Sequence, residues 1–242
     1  MRRRPAERCV WSHKALAEFV GTAFLVAAIV GSGIAAQRLS PGAVGIELLE
    51  NTLATAAVLA AMILALGPVS GAHLNPVVTL VDRLFGGVST KVACIYVTAQ
   101  FAGGVSGAIA ANTMFGDAAV SLSTHHRSSG PHLFAEAIAS FGFVLVVFSL
   151  TRSGRAHLAL FAVGAYIAAA YWFTSSTSFA NPAVALARMC SNTFAGIAPG
   201  SVGPFTGFEL LGGALGACCV AVLYPQMRRG AQGVVIPHEE AV

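Results

Sequence analysis

Ser70-Gly71-Ala72-His73-Leu74-Asn75-Pro76-Val77-Val78-Thr79-Leu80 and Ser178-Phe179-Ala180-Asn181-Pro182-Ala183-Val184-Ala185-Leu186 are two copies of one local pattern. In each, Asn-Pro leaves a run of small residues and leads straight into an apolar segment. Asn is a strong N-cap, and Pro suits the first helical position, where its missing N–H is no loss. Both copies therefore predict helix starts. The segments that follow, residues 76–85 and 182–190, are each long enough for roughly 15 Å of helix. That is about half of a hydrocarbon core. They read as two half-helices, each entering a bilayer and stopping near its middle.

Working outward, the composition requires a membrane. Of 242 residues, 56% are hydrophobic and 10% charged, and the mean hydropathy is +0.74. A soluble domain of that make-up would expose too much apolar surface. The 26 Gly and 10 Pro suit close helix packing and irregular backbone held inside protein. The net charge of +4 does not indicate nucleic acid, because the basic residues are scattered over loops and termini without interleaved aromatics. Cys9, Cys94, Cys190, Cys218 and Cys219 show no metal-ligand spacing, and no cofactor or metal site is expected. The apolar run after Lys14 is too long for the core of a cleavable leader.

Six apolar spans are predicted, at residues 15–37, 46–67, 90–113, 132–151, 157–174 and 202–224. The second ends at Gly67-Pro68, and the sixth follows a break from Pro199 to Pro204. Residues 114–131, with His125, His126 and Arg127, form a polar loop, and residues 1–14 and 225–242 are tails. The region 15–224 is then a single domain of two repeats, 15–113 and 132–224. Asn181 lies 106 residues after Asn75, Glu136 lies 118 after Glu18, and Glu209 lies 109 after Gln100. Each half carries two spans, a half-helix and a third span. Three crossings is an odd number, so the halves are inverted in the membrane and their half-helices meet N-terminus to N-terminus. The fold class expected is an all-α membrane protein of six transmembrane helices and two re-entrant half-helices.

Basic residues set the orientation. With both termini inside, only Arg38, Arg127 and Arg188 of the 14 Lys and Arg residues face outward. Both tails are therefore expected in the cytoplasm. Each half-helix aims its positive dipole end and free N–H groups at the bilayer centre. The carboxamide oxygens of Asn75 and Asn181 cap those groups, which leaves both N–H donors of each side chain to face a lumen. Such a waist would order a hydroxylic solute and repel protons and cations. Glu18 and Glu136, placed symmetrically in the first span of each half, suit acceptors for the re-entrant backbones. His73 suits packing against the loop or lining the inner vestibule, and the Gly103/Gly107 and Gly212/Gly216 pairs suit close helix crossings. Glu209 has no evident role; as a proton-coupling site it would make the chain a transporter.

The paired Asn-Pro motifs, with Ser-Gly-Ala-His-Leu-Asn-Pro in the first and a Glu in the first span of each half, resemble the aquaporin (major intrinsic protein) family over about residues 15–224. The resemblance implies one pore per subunit, a homotetramer in the cell membrane, and no enzymatic activity. Asn75 with Pro76 and Val77, and Asn181 with Pro182 and Ala183, match the family's two Asn-Pro-Ala motifs, with Val77 replacing the first Ala. In most members an Arg follows the second motif; here Val184 stands in its place. Spacing to the asparagines puts Thr55, Ala169 and Ser178 at the other selectivity-filter positions. Thr55, Ala169, Ser178 and Val184 make a filter without an aromatic, His or Arg, wider and less polar than a water filter. Arg188 lies one helical turn further on and is not expected in it. The filter is similar to that of bacterial members associated with arsenic resistance, which implies passage of arsenite beside water and glycerol-like polyols. The partners implied are the lipid bilayer and small neutral solutes. The alternative is an ion- or proton-coupled transporter on the same inverted repeat, and a non-conducting structural membrane protein is a third reading. Solute accumulation against a gradient, or no flux at all, would distinguish them.

Overall fold

A computed structural model describes residues 5–225, and the side chains from residue 12 onward. Of the tails predicted at 1–14 and 225–242, residues 1–4 and 226–242 lie outside these residues, Arg2, Arg3, Arg4, Arg228 and Arg229 among them. Eight α-helices run α1 (Pro5–Leu39), α2 (Val44–Ser70), α3 (Pro76–Phe85), α4 (Thr90–Met114), α5 (Gly130–Arg152), α6 (Ala159–Phe173), α7 (Pro182–Arg188) and α8 (Pro199–Leu223), with a 3-10 turn at Ala156–Leu158 before α6. Six are long and apolar enough to cross a membrane. The large side chains that face away from the bundle, among them Phe24, Leu64, Phe161 and Val222, are apolar and exposed, as a lipid-facing surface requires.

Four boundaries differ from those expected. Helix α1 starts at Pro5, well before the span predicted at 15–37, so the predicted N-terminal tail is helical from residue 5 onward. Helix α2 runs through Pro68 to Ser70. The proline removes only one helical N–H, and the helix end is satisfied elsewhere: Tyr96 Oη donates to the Ser70 carbonyl at 2.8 Å, and the left-handed Gly71 donates to Gly67 O. Helix α8 starts at Pro199, whose missing N–H is harmless at the first helical position, and it continues through Pro204. Helix α7 stops at Arg188 rather than residue 190. The carbonyls just beyond it are taken by the 114–131 loop, with Ser123 N–H on Met189 O at 2.9 Å and Ser121 N–H on Cys190 O at 3.0 Å. Asn112 Nδ2 adds a second bond to Cys190 O.

The two halves pack by the same rule. A methyl group on Gly103 or Gly107 of α4 would strike the carbonyl oxygens of Phe19 and Ala23 on α1. On Gly212 and Gly216 of α8 it would strike those of Ala137 and Phe141 on α5. Backbone thus lies against backbone at both crossings, which only glycine allows. Gly213 of α8 lies directly under the Val77 side chain, and Gly104 of α4 lies under the Ala183 carbonyl. These close crossings leave α3 and α7 end to end in the interior. Each is preceded by an extended loop folded into the bundle.

Candidate functional site

The re-entrant loops are held in a conformation that their residues resist. Ala72, Leu74, Ser178 and Ala180 all have φ between 46° and 50°, a left-handed region that costs a non-glycine residue roughly 1–2 kcal/mol. The four positions form two pairs related by the repeat. In each loop a buried carboxylate holds the strained turn. Glu18 on α1 accepts from the His73 and Leu74 N–H groups at 3.0 and 2.8 Å. Glu136 on α5 accepts from Phe179 and Ala180 N–H at 3.0 and 2.8 Å. Glu18 is also bonded by Ser70 Oγ at 2.6 Å and Gln100 Nε2 at 2.7 Å. Glu209, for which the sequence offered no role, accepts from the Asn181 N–H at 3.0 Å.

With the loops fixed, the two asparagines meet. Asn75 has extended backbone and its side chain accepts from Val77 N–H at 2.8 Å; Asn181 accepts from Ala183 N–H at 3.1 Å and, more weakly, Val184 N–H at 3.4 Å. Pro76 and Pro182 follow at the first helical positions. The amide nitrogens differ from expectation. Asn75 Nδ2 donates to the Ala180 carbonyl at 2.7 Å, and Asn181 Nδ2 donates to the Leu74 carbonyl at 2.8 Å. Each side chain thus spends one donor on the opposite loop and keeps one, not two, for the lumen. The exchange makes the two half-helices a single cross-braced unit.

One cavity passes this unit. Its wall includes Asn75 and Asn181 together with Thr55, Ser178 and Val184, all five buried. His73 lines it too, with Nδ1 3.1 Å from Thr79 Oγ1 and its ring edge-on to Tyr96. Leu25, Ile29, Leu59, Phe143 and Ile167 supply an apolar face. A narrow passage with a few aligned polar groups on one side and hydrocarbon on the rest gives a solute hydrogen bonds without trapping it.

Ala169 is a correction. It is exposed on the outside of α6 and lines nothing. The α6 residues in the cavity are Ile167 and Tyr171, and Tyr171 Oη donates to Thr55 Oγ1 at 3.2 Å. Two residues along a helix turn the side chain by about 200°, so a spacing error of two moves it from lumen to lipid. The inward face of α6 is Val163, Gly164, Ile167, Ala170 and Tyr171, and Ala169 is off that stripe. The segment is apolar on every side, so hydropathy could not reveal its rotation. Arg188 is a second correction: it lines the same cavity as Val184 and is buried. The wall therefore has both an aromatic and an arginine, where neither was expected.

The remaining candidates do not converge. His125 and His126 are exposed in the loop, where the His125 carbonyl accepts from Ala198 N–H. Among the described residues, no three His, Cys, Asp or Glu side chains gather as metal ligands would.

A family model described as major intrinsic protein matches residues 6–218. The chain is 43% identical over 224 residues to "Aquaglyceroporin AqpS" of Rhizobium meliloti (strain 1021), covering 93% of this chain and 94% of that one. It is 33% identical over 144 residues to Aquaporin-5 of Ovis aries, covering 57% of this chain and 52% of that one. Its fold is similar to the X-ray structure of the aquaglyceroporin from Plasmodium falciparum, with a TM-score of 0.61 and 18% identity, covering 89% of this chain and 96% of that one.

Proposed function

Because the chain belongs to the major intrinsic protein family, whose members are channels and not enzymes, we propose that it conducts water and small neutral polyols such as glycerol passively through the cavity between its two repeats. It is a multi-pass membrane protein. One observation carries the reading. Two half-helices meet N-terminus to N-terminus, and each presents a capping asparagine to the same passage. Their positive dipole ends oppose cations at the midplane, where an isolated charge already costs about 2.5–3.5 kcal/mol. Protons and ions are thereby excluded, while a hydroxyl oxygen is welcome at the free Asn75 and Asn181 donors.

The finer reading follows the same chemistry. Arsenite in its neutral hydroxide form is a compact polyol in shape and hydrogen bonding, and it passes by the same route. Four such subunits assemble, each with its own pore, in the cell membrane with both termini in the cytoplasm. The transporter alternative is disfavoured by Glu209. Its Oε1 is occupied by the Asn181 N–H, and it is not among the residues of the cavity wall.

The test is a flux panel in proteoliposomes with water, glycerol, urea, arsenite and antimonite and no ion gradient. A channel equilibrates its solutes and never accumulates them. Accumulation driven by a proton gradient, or no flux of any solute above protein-free vesicles, would overturn the reading.

A further inference from the structure

Arg188 is placed where its own position in the chain does not suggest. Asn181, Val184 and Arg188 are spaced three and four residues apart, so they share one face of α7, and all three line the cavity. Side chains on a helix lean toward its N-terminus, which in α7 is the direction of the waist. The Arg188 head follows that lean: its Cζ lies 3.4 Å from the centroid of the Phe179 ring, and Phe179 is the neighbour of Ser178. The Nε donates to the Ala195 carbonyl, which fixes the plane of the guanidinium. The Nη1 is buried and has no hydrogen-bond partner among the described residues. Ser178 Oγ, in the wall of the same cavity, is likewise buried with no bond. Among the described residues no carboxylate lies within ion-pair distance of Arg188.

Arg127 completes the arrangement from the polar loop. Its Nε and Nη2 donate to the Gly196 and Phe194 carbonyls, and its Cζ lies 5.3 Å from the same Phe179 ring. The carbonyls of residues 194–196 and the Phe179 ring are thus shared between two arginines. Arg127 places its Nε and Nη2 donors on the loop, while Arg188, a residue of the cavity wall, keeps its buried Nη1 without a partner among the described residues.

We propose that Arg188 is the cationic, solute-orienting residue of the outer constriction, reaching back one turn to the level left apolar by Val184. Its free N–H, with Ser178 Oγ, takes the oxygens of a passing polyol in line. Its fixed charge turns cations away before they reach the asparagines. This rests on the channel reading above. Val184 accordingly widens the passage without removing its positive charge.

The experiment compares the parent with Arg188→Gln and Arg188→Lys in proteoliposomes, measuring glycerol flux and sodium and proton leak on the same vesicles. A unit charge about 6 Å from an ion at an effective dielectric near 20 changes its population by about a hundredfold. Arg188→Gln is expected to raise cation leak by about tenfold to a hundredfold while glycerol still passes, and Arg188→Lys to hold the leak near the parent level at neutral pH. Raising the pH should then open the Lys variant to cations as its ammonium loses its proton, with the parent unchanged. Tyr171, Arg127, Glu136 and Glu209 are the other titratable or charged groups around this position; they are common to both proteins, so the parent profile accounts for them. Parent-level leak in a folded Arg188→Gln that passes glycerol overturns the proposal. If Arg188→Gln does not fold, because the Ala195 link is lost, the Lys variant decides: a flat pH profile overturns the proposal and a rising one supports it. A parent that passes no glycerol overturns the channel reading itself, and is recognised separately because it involves no substitution.

Discussion

Glu18→Gln tests whether the pore loops are held by a carboxylate or merely packed in place. Glu18 is fully buried and receives four hydrogen bonds, two on each oxygen: Ser70 Oγ and His73 N–H on Oε1, Leu74 N–H and Gln100 Nε2 on Oε2. Glutamine has the same shape but presents an amino group at one of those two sites. The Ser70 hydroxyl can rotate and the Gln100 amide can flip, since its Oε1 makes no bond, so both side chains adapt. The backbone cannot. Whichever way the new amide turns, either His73 N–H or Leu74 N–H faces a donor. A buried N–H left without an acceptor costs about 1–3 kcal/mol, and the surviving bonds lose their charge assistance, so a total of about 2–5 kcal/mol is expected. At about 2–4 °C per kcal/mol for a chain of this size, the Tm falls by on the order of 10 °C. The same bonds hold Ala72 and Leu74 at their positive φ values, so Asn75 moves with them and glycerol flux should fall even in the fraction that stays folded. Thermal unfolding in detergent and flux per folded protein measure the two effects. Ser70→Ala removes one bond to Glu18 and leaves the Ala72 N–H without its acceptor, a cost of about 1–3 kcal/mol confined to one backbone group. A Glu18→Gln protein that melts within about 2 °C of the parent and conducts at the parent rate would refute the reasoning.

Three other outcomes are expected. Asn181→Ala removes the cap of α7 and leaves the Leu74 carbonyl without its donor; a loss of about 2 kcal/mol or more should appear as a lowered Tm and reduced glycerol flux, and parent-like values of both would displace the waist from this residue. Val184→Arg puts a second guanidinium one turn from Arg188 in the same wall, so glycerol and arsenite flux should drop by about tenfold or more while water is spared more; equal flux ratios from paired liposome preparations would show that Val184 does not face the solute. Glu209→Gln keeps an acceptor for the Asn181 N–H, and its stability should change by less than about 1 kcal/mol with glycerol flux unaltered; a flux that becomes independent of a proton gradient only in this variant would instead favour coupled transport.

The repeated Asn-Pro motif carries its own local chemistry, which is why so much could be read before any contact was known. A capping side chain and a proline at the first helical position act within a few residues, and α3 starts at Pro76 as those signals require. The count of spans and the inversion of the halves follow from apolar length and from an odd number of crossings, neither of which depends on packing. Glu18 and Glu136 could be suspected as acceptors because the repeat places them alike. Glu209 could not be understood in the same way, because its partner, the Asn181 N–H, is free only once the second loop adopts its left-handed turns.

What only the tertiary structure decided is which side chains share the lumen. Helix α6 is apolar all round, so nothing in its pattern sets its rotation, and the choice between Ala169 and Tyr171 depends on how α6 packs against its neighbours and on the length of the loop that leads to Asn181. The asparagine amides bridge to carbonyls about a hundred residues away in sequence, a partnership that exists only when the two half-helices meet. The sequence places the Arg188 Cα a turn beyond the expected position. A long side chain leaning toward the helix N-terminus spans that turn, and the Phe179 ring and Ala195 carbonyl that receive it come from opposite ends of the re-entrant segment. Caps, helix lengths and the inversion of the repeat arise from interactions between near neighbours in the chain, whereas the lining of the pore arises from helix rotation and side-chain reach, which are set only when all the elements have packed.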